Sequence, residues 1–538
     1  MNRKKFFALL LGGALFFSNA FSAAAAGDSR PAPAGGPASV ALPTGQPAPA
    51  VAQPAPVATP TAQPAPQQLV SPPAPGDIRT VAPGVRYYPI SGHTWQGEPL
   101  HGYVVEVDPG QSLLEVRVTV PGHTLGDGET LSGMAASHGA VAAINGGFFD
   151  GSGGHPIGSL VQDGRILATS AILRTSIGIL NHNRLQLGYF SPRVTVRFGG
   201  GGAVPVQGVN TSAAEDGVTL YTPAWGQSID APANGVNVVV ERRGGADVVQ
   251  SVSAGSVSMP ADGYVLTLQG SAAAGAGEPA AGTAVKLGFD YGAGWDGLKH
   301  LVTAGPLLVA DGQPVLQGIM EGFRGSLLEP SPRTAIGVNR EGRLLLVVVD
   351  GREPGWSAGV TMEELAYLMT NLGAVRAAAL DGGASSAMWV SGRIVNRPSD
   401  GRERALADAI LVLRQVPVYL DGTRIFFDVP PVVENGRTLV PLRGIFEKLG
   451  ASVDWNAATQ TVTASRGGRE ASLTIGKRQA RVNGETVNLD VPAQLVNGRT
   501  MVPLRFVGEA LGAGVAWQDA PPAVLLTSPS AAGGKAGR

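Results

Sequence analysis

Two continuous apolar runs indicate buried strands in the second half of the chain. Residues 344–349 read LLLVVV, and residues 375–380 read VRAAAL. Between them, TMEE at residues 361–364 has the spacing of a helix capping box, the periodic ELAYLMTNL follows, and Gly373 is a natural helix end. This order predicts a strand–helix–strand unit, whose crossover makes the two strands parallel.

Each of the two predicted strands ends at an aspartate. Asp350 follows the first strand directly, and Asp381 follows the second. Because ligands of open parallel sheets bind at the carboxyl ends of the strands, both side chains are expected to line one cleft at one edge of the sheet.

Two glycine-rich turns in the chain have almost the same sequence. AAINGGFFD at residues 142–150 resembles AALDGGASS at residues 378–386, and each follows a short apolar strand pattern. The earlier strand follows LSGMAASHG, which is helical in pattern and ends at Gly139. Paired glycines expose backbone N–H groups that suit an anion such as phosphate. The alternative for either turn alone is an ordinary strand-to-loop connection. The candidate donors are Asn145, Gly146, Gly147, Gly382, Gly383, Ser385 and Ser386.

Several cationic and polar residues lie near these turns in the sequence. SPRTAIGVN at residues 331–339 places Arg333 at the start of a further strand, where a guanidinium can hold a phosphate or carboxylate in a fork. The alternative is a solvated surface charge. IVNRPSDGRERALADAILV then supplies polar loop residues before a last apolar strand. The further candidates for substrate binding are Thr334, Arg352, Asn396 and Arg404, with Arg397 and Asp400 in the same loop as the last two.

Composition limits the possible classes of protein. A chain of 538 residues that is 44% hydrophobic and 15% charged holds two or three globular domains. Its net charge of -1 provides no broad basic surface for nucleic acid or anionic membrane, and the absence of cysteine excludes disulfides and thiolate metal sites. A glycine-rich, β-rich insert at about residues 244–294 argues against a simple doubly wound sheet. The predicted fold class is therefore α+β, with a mixed buried sheet and helices in the region at residues 81–415.

The N-terminal segment has the features of an export signal. Residues 1–26 carry three early cations, a short apolar run and a small-residue cleavage site, and the apolar run is shorter than the ~20 residues of a membrane anchor. Residues 27–80 form a proline- and alanine-rich segment that predicts a disordered tether. No second long apolar run follows, so we expect no membrane span in the mature chain. A disordered tail is predicted at residues 529–538.

The C-terminal region contains an internal repeat. DVPPVVENGRTLVPLR begins at Asp428, and DVPAQLVNGRTMVPLR begins at Asp490, 62 residues later. Trp455 and Trp517 recur in the same register. Each copy predicts a strand, an Asn-Gly turn, a second strand that ends at proline, a helix and a strand with the tryptophan. The two copies are expected to pack on each other as a small two-repeat α+β module at residues 416–528.

The region at residues 81–415 resembles the phosphodiester glycosidase family, which includes the uncovering enzyme, N-acetylglucosamine-1-phosphodiester alpha-N-acetylglucosaminidase. One departure is Ala384, where the family commonly has a third glycine, and it predicts a slightly reshaped loop. The fragments that carry the resemblance are INGGFF at 144–149, PIGSLVQDGRI at 156–166, VNVVV at 236–240, AGPLLVADG at 304–312, RTAIGVN at 333–339, VVVDGR at 347–352, LDGGASSAM at 380–388 and VNRPSDGRER at 395–404.

The repeat region resembles the stalk-like surface modules named after the N-terminal domain of copper amine oxidases, on the motifs NGRTLVPLR and NGRTMVPLR. Copper is not implied despite that name, because the last histidine of the chain is His300 and the module has no cysteine. The expected role is attachment to a cell-wall polymer, and the alternative is a purely structural appendage.

The first resemblance implies a secreted or cell-surface bacterial hydrolase, Gram-positive-like, that cleaves a sugar-1-phosphodiester at the anomeric C–O bond. The substrate would be an N-acetylglucosamine-type or other cell-surface glycan. Asp381 would be general base or nucleophile, Asn145 would orient sugar or water, and Arg333 with the two turns would stabilise the phosphate. Asp350 would be a second carboxylate, for support or for metal. No cofactor is certain, although a Ca or Mg ion is compatible with these residues.

Two other functions stay open at this point. A metal-dependent phosphodiesterase would break the P–O bond, with Asp150, Asp350 and Asp381 around a divalent ion. His155 is the only histidine beside a motif. A non-catalytic surface protein that binds a wall polymer would also explain the signal, the tether and the terminal module, but it leaves the paired turns unexplained. None of these functions requires a nucleic-acid partner.

Overall fold

The computed structural model describes residues 68–529, apart from 112, 123, 152–153, 171, 272–278, 316, 324–326, 426, 428–430, 435–436, 497–498 and 520–521. The predicted signal peptide, most of the predicted tether and almost all of the predicted tail lie outside these residues. Within the described part, no helix is both long enough and apolar enough to cross a membrane.

β-Strands dominate the described part of the chain, which has 41 strands and four α-helices. The α+β class predicted above is therefore wrong. The apolar segments are short and glycine-rich turns separate them, so most of them pair as antiparallel strands instead of forming helices. The four helices are Leu131–Ser137, Met362–Asn371, Leu442–Lys448 and Leu504–Leu511.

An eight-stranded sheet carries the predicted apolar strands. Strand Leu344–Val349 is buried along its whole length, as its sequence predicts. Its alternate side chains pack against helix Met362–Asn371 on one face and against strands of a second sheet on the other. The order in the eight-stranded sheet is Arg79–Ala82, Val85–His93, Pro99–Val107, Leu344–Val349, Arg333–Asn339, Ala374–Ala379, Leu307–Ala310 and Gln313–Pro314.

The predicted strand–helix–strand unit is confirmed, with one strand inserted. Strands Leu344–Val349 and Ala374–Ala379 are both antiparallel to Arg333–Asn339, which lies between them, so they run in the same direction without touching. Thr361 and Glu364 form the reciprocal capping box. The chain therefore leaves both strands at one edge of the sheet, where the intervening strand begins.

The earlier glycine-rich turn follows a strand of a neighbouring five-stranded sheet. Helix Leu131–Ser137 is followed by Gly139, at φ +61°, and strand Ala140–Asn145 comes next, as predicted. The order of this sheet is Arg393–Ile394, Met388–Val390, Ala140–Asn145, Ala409–Arg414 and Leu114–Thr119.

Three further sheets complete the region before the repeats. The segment at residues 244–294 is β-rich, as predicted, and most of its strands belong to an eight-stranded sheet. That sheet has the order Val204–Val206, Arg193–Phe198, Ala284–Asp290, Ala246–Ser253, Gly235–Arg243, Gly263–Gln269, Gly217–Tyr221 and Gly208–Val209. The others are Arg165–Ala168, Leu160–Gln162, Leu298–Thr303, Thr175–Leu180 and Leu185–Tyr189, and the pair Ser228–Ile229 with Val257–Ser258.

The two C-terminal repeats pack on each other around one core. Strands Arg437–Pro441 and Arg499–Pro503 pair antiparallel, and each leads directly into a helix. Their four-stranded sheet is Val432–Glu434, Arg437–Pro441, Arg499–Pro503 and Gln494–Val496. The other sheets are Thr423–Ile425, Val418–Leu420, Pro522–Thr527 and Gly514–Asp519, and Ser452–Asn456, Thr461–Arg466, Arg469–Thr474, Gln479–Val482 and Glu485–Asn488.

Candidate functional site

The two glycine-rich turns meet at the edge of the sheets. Asn145 Nδ2 donates a hydrogen bond to the carbonyl oxygen of Asp381 at 2.7 Å, and Asp381 N donates to the carbonyl oxygen of Gly146 at 3.0 Å. Asn145 Oδ1 accepts hydrogen bonds from Thr334 Oγ1 at 2.7 Å and Ala387 N at 3.1 Å. Because Asn145 is fully buried, its amide joins the two turns and is not exposed to a substrate.

The N–H groups of the turns already have acceptors within the protein. Gly147 N donates to Asp408 Oδ1 at 2.8 Å, and Gly146 N donates to the carbonyl oxygen of Asp408 at 3.1 Å. A Cβ at Gly146 would overlap Asp408 Oδ1, so this close approach requires glycine. In the second turn, Gly383 N donates to the carbonyl oxygen of Pro332 at 2.8 Å. The turns thus position side chains more than they offer open donors.

Asp381 is the half-buried carboxyl of the site. Burial raises its pKa to about 6, although the nearby Ser385 hydroxyl, the charge of Arg404 and the N–H of Gly382 each lower it. A carboxyl group with a pKa of about 6 exchanges protons readily near neutral pH, which general acid–base catalysis requires.

Asp408 is a neighbouring carboxyl that sequence reasoning missed. It is 1% exposed, and burial is the main cause that raises its pKa to about 7. The Gly147 N–H lowers that pKa, and the charge of Asp381 raises it. In the described part of the chain, Asp408 Oδ2 has no hydrogen-bond partner. In the sequence, Asp408 is an acid directly before a buried strand. Because many ordinary strands begin after a polar residue, this pattern does not distinguish a functional carboxyl.

Asp350 lies at the same sheet edge but is enclosed. Its carboxylate accepts hydrogen bonds from Trp356 Nε1 at 3.0 Å, Asn396 Nδ2 at 3.2 Å and Arg397 N at 2.9 Å, and the residue is 1% exposed. Burial raises the pKa of Asp350, and these donors partly offset the rise. The sequence grouped Asp350 with Asp381, but in the structure Asp350 anchors the surrounding loop.

Two guanidinium groups flank the turn after Asp381. Arg333 is nearly buried and donates to the carbonyl oxygens of Val360 at 3.1 Å and Glu329 at 2.9 Å. Burial and the nearby charge of Arg352 lower the pKa of Arg333 to about 10. Arg352 is exposed, and its Nη2 lies 3.3 Å from the position of a Cβ on Gly383. Arg352 is therefore the more accessible cation.

The remaining predicted residues divide into positioning and accessible groups. Asn396 accepts a hydrogen bond from Met388 N and donates to Asp350 and to the carbonyl oxygen of Ser386, so it positions the loop. Arg404 is exposed and lies over the ring of Phe149 at 4.8 Å. Ser386 Oγ is buried and has no hydrogen-bond partner among the residues that the structure describes.

The metal-ligand set considered for a phosphodiesterase does not assemble. Among the described residues, the group of carboxylate and imidazole side chains close enough to hold a metal is Glu115, Asp163 and His300, away from the predicted set. Arg117 Nη2 lies 2.7 Å from Asp163 Oδ1, so a guanidinium already offsets part of the negative charge of that group. His155 stacks on Trp225 with ring centroids 4.8 Å apart.

Comparison with known proteins shows limited likeness over parts of the chain. An uncharacterized protein derived from the SPbeta prophage of Bacillus subtilis, YomE, is 41% identical over 81 residues, which is 15% of this chain and 12% of that protein. This chain thus spans a small part of that relative.

Two solved structures share the fold over a larger part. A hypothetical protein from Synechocystis is 25% identical at a TM-score of 0.54, and the match covers 62% of each chain. An exported protein from Burkholderia pseudomallei, so described provisionally, is 22% identical at a TM-score of 0.54, over 65% of this chain and 99% of that one.

Two families match the chain in succession, and the predicted resemblances are thereby confirmed. The Asn145 turn precedes the first matched segment, whereas Asp381 and Asp408 lie inside it. Residues 234–413 match the phosphodiester glycosidase family, and residues 419–526 match the copper amine oxidase N-terminal domain family.

Proposed function

We propose that this chain is a hydrolase that cleaves a sugar-1-phosphodiester between the anomeric carbon and the phosphate oxygen. The observation that carries the proposal is the half-buried Asp381, with a pKa of about 6, beside the accessible cations Arg352 and Arg404 in a segment that matches the phosphodiester glycosidase family. The proposed substrates are N-acetylglucosamine-type or other cell-surface glycan phosphodiesters.

The chemistry fits a site that is rich in positive charge. A departing phosphomonoester is already a stable anion, with a second pKa of about 6, so it needs less protonation than the alkoxide of an ordinary glycoside. It needs preorganised charge and donors, which each contribute about 10²-fold or more. Arg352 and Arg404 would hold the phosphate, and Arg333 would support the turn and add positive charge.

Asp381 would act on the sugar side of the bond. As general base it takes a proton from water, the water oxygen bonds to the anomeric carbon, and the electron pair of the broken C–O bond stays on the phosphate oxygen. As nucleophile it would bond to the anomeric carbon first, and water would release the sugar. Asp408 would act through Asp381 as a positioning residue, since it accepts hydrogen bonds from Gly147 N and Gly146 N, and the carbonyl oxygen of Gly146 accepts one from Asp381 N.

We further propose that the protein is exported and that its C-terminal module attaches it to a cell-wall polymer. The N-terminal sequence supports export. The absence of a spanning helix among the described residues is compatible with an extracellular location.

The test is hydrolysis of an N-acetylglucosamine 1-phosphodiester by the whole chain in ¹⁸O-water. Label in the free sugar, lost in Asp381→Asn and kept in the exposed control Asp290→Asn, is the expected result. Label in the phosphate would overturn the proposal in favour of a P–O-cleaving phosphodiesterase. Absence of turnover across several sugar phosphodiesters would overturn it in favour of a binding protein.

A further inference from the structure

The C-terminal module contains a cleft of about 750 Å³ where it meets the preceding region; we call it the junction cleft. The second repeat contributes Arg505, Val515 and Trp517 to its wall, and the first repeat contributes Arg437 and Thr438. Trp517 is 47% exposed, so its indole ring is accessible from solvent.

A second cleft of about 650 Å³, the outer cleft, is lined by corresponding residues of the two repeats. Here the first repeat contributes Arg443, Val453 and Trp455, and the second repeat contributes Arg499 and Thr500. Trp455 is 43% exposed.

Each of these residues lies 62 positions from its counterpart in the other cleft, as Trp455 does from Trp517. The tryptophan comes from the second repeat in the junction cleft and from the first repeat in the outer cleft. The antiparallel pairing of Val440 with Val502 lies between the two clefts and accounts for this exchange, because it relates the repeats by an approximate two-fold axis. The module therefore carries two concave surfaces with corresponding walls from the repeats, and the junction cleft is completed by residues of the preceding region such as Arg414.

Folding alone does not account for the shared residues of the clefts. Leu442 and Leu504 recur because both are buried in the core. The tryptophans recur although they are exposed, while the exposed residue directly before each has changed from Asp454 to Ala516. An exposed aromatic side chain retained in both copies beside a changed neighbour indicates a binding function.

Both clefts combine an indole face with more arginine than acidic side chains among their lining residues. The outer cleft has Arg443 and Arg499 against Glu447, which lies 3.5 Å from Arg443. Such exposed ion pairs are weak, so an anionic ligand can compete with them.

The junction cleft is more cationic still. It has Arg414, Arg437 and Arg505 against Asp490, which lies 2.9 Å from Arg437. This local charge contrasts with the net charge of -1 of the whole chain.

We propose that the two clefts bind a repeating anionic glycan, with a sugar ring on each tryptophan and a phosphate or carboxylate group at the arginines. The proposal rests on the attachment role given to the module above. Two corresponding sites on one module would engage two units of the same polymer, and such bivalent binding exceeds single-site affinity by about 10²- to 10⁴-fold.

The experiment measures polymer binding by the whole chain carrying Asp381→Asn, so that the polymer stays intact. The probes are a sugar-substituted glycerol-phosphate polymer, a polyuronic acid and a neutral dextran of similar length. We expect Trp455→Ala or Trp517→Ala to lower affinity for at least one anionic polymer about 10²- to 10⁴-fold, because each leaves one working site and removes the gain from bivalent binding. The double variant should lose measurable binding, and the exposed-aromatic control Tyr189→Ala should bind normally.

Unchanged binding by the double variant, or equal binding of dextran, would overturn the proposal. If the double variant fails to fold, Arg443→Gln combined with Arg505→Gln replaces it, since both side chains are at least half exposed. Preference for the phosphate polymer or the polyuronic acid identifies the anionic group. The binding measurement requires no hydrolysis, so its failure is distinct from failure of the proposed enzyme activity.

Discussion

Asp350 and Asp381 end strands that run in the same direction to one edge of one sheet, and yet their surroundings differ. Three hydrogen-bond donors enclose the carboxylate of Asp350, which is 1% exposed. Asp381 is half-buried, and burial raises its pKa to about 6. The comparison shows that an apolar strand followed by Asp-Gly produces a structural anchor in one case and a candidate catalytic group in the other.

The difference comes from how many donors reach each carboxylate. A buried carboxylate with several donors stabilises its loop, and removal of the acid leaves those donors unsatisfied. Burial raises the pKa of both carboxyls, but Asp381 has fewer donors and is more exposed, which suits proton transfer. Substitutions should therefore separate stability from activity at these two positions.

The largest expected effect is on catalysis. Asp381→Asn should lower kcat about 10³-fold, because it removes the group that activates water or attacks the sugar. The urea midpoint of unfolding should not fall, since the variant removes a buried carboxyl that is unfavourable when ionised. Steady-state kinetics and urea unfolding on the same preparation check both parts. A variant with wild-type kcat would contradict the role of Asp381.

Asp350→Ala should mainly destabilise the protein. It leaves the N–H groups of Trp356, Asn396 and Arg397 without their acceptor, and the free energy of unfolding should fall by about 3 kcal/mol. Asp350→Asn, which keeps one acceptor oxygen, is the matched control and should lose less. Equal stability of Asp350→Ala and wild type would mean that these hydrogen bonds do not anchor the loop.

Asn145→Ala should disconnect the two glycine-rich turns. It removes a donor to the carbonyl oxygen of Asp381 and an acceptor for Thr334 Oγ1 and Ala387 N, so the free energy of unfolding should fall by about 1–3 kcal/mol. The rate should also fall, because Asp381 loses its fixed position. Thr334→Val, which removes one of the three hydrogen bonds, should lower both the free energy of unfolding and the rate by less than Asn145→Ala does. A rate unchanged by Asn145→Ala would argue against this coupling.

Asp408→Asn should change the pH dependence of stability. The pKa of Asp408 is about 7 in the folded protein against an ordinary value of 3.8, so the folded state holds the proton more tightly between those pH values. The acid therefore lowers stability as pH rises through that window, and its effect is complete above about pH 7. The free energy of unfolding of the variant minus that of wild type should be more positive at pH 8 than at pH 5.

Urea unfolding at both pH values measures that difference, and an equal difference at pH 5 and pH 8 would exclude the raised pKa. The pH–rate profile adds a readout that a purely structural role would not change. Wild type should show an apparent pKa near 6 from Asp381, and Asp408→Asn should lower it, because the variant removes a carboxyl whose charge interacts with that of Asp381.

The smallest effect is expected at Ala384, the position where the phosphodiester glycosidase family was said above to have a third glycine. Ala384 lies inside the short 3-10 turn Gly383–Ser385 and is not among the residues with positive φ, so alanine fits its backbone conformation. Ala384→Gly should lower the free energy of unfolding by about 0.4–1 kcal/mol through the entropy of the unfolded chain, with kcat unchanged. A gain in kcat would mean that alanine does reshape the loop.

Local sequence signals predicted much of the framework around the site. The capping box at Thr361, the helix end at Gly373 and the buried strand at residues 344–349 all follow from short-range patterns. The overall class was wrong because the short apolar segments pair as strands, and several pair with strands far away in the sequence, such as Leu344–Val349 with Pro99–Val107, which local patterns do not identify. The same reason hid Asp408, which contacts Gly147 across 261 residues.

The sequence by itself determined the strand ends with Asp350 and Asp381, the two glycine-rich turns and the 62-residue repeat, because apolar periodicity, glycine conformation and internal identity are local properties. Only the tertiary structure decided which carboxyl is enclosed, since the donors to Asp350 include Asn396 and Arg397, 46 and 47 residues away. It also decided the raised pKa values of Asp381 and Asp408, because burial and neighbouring charge arise only when distant segments meet.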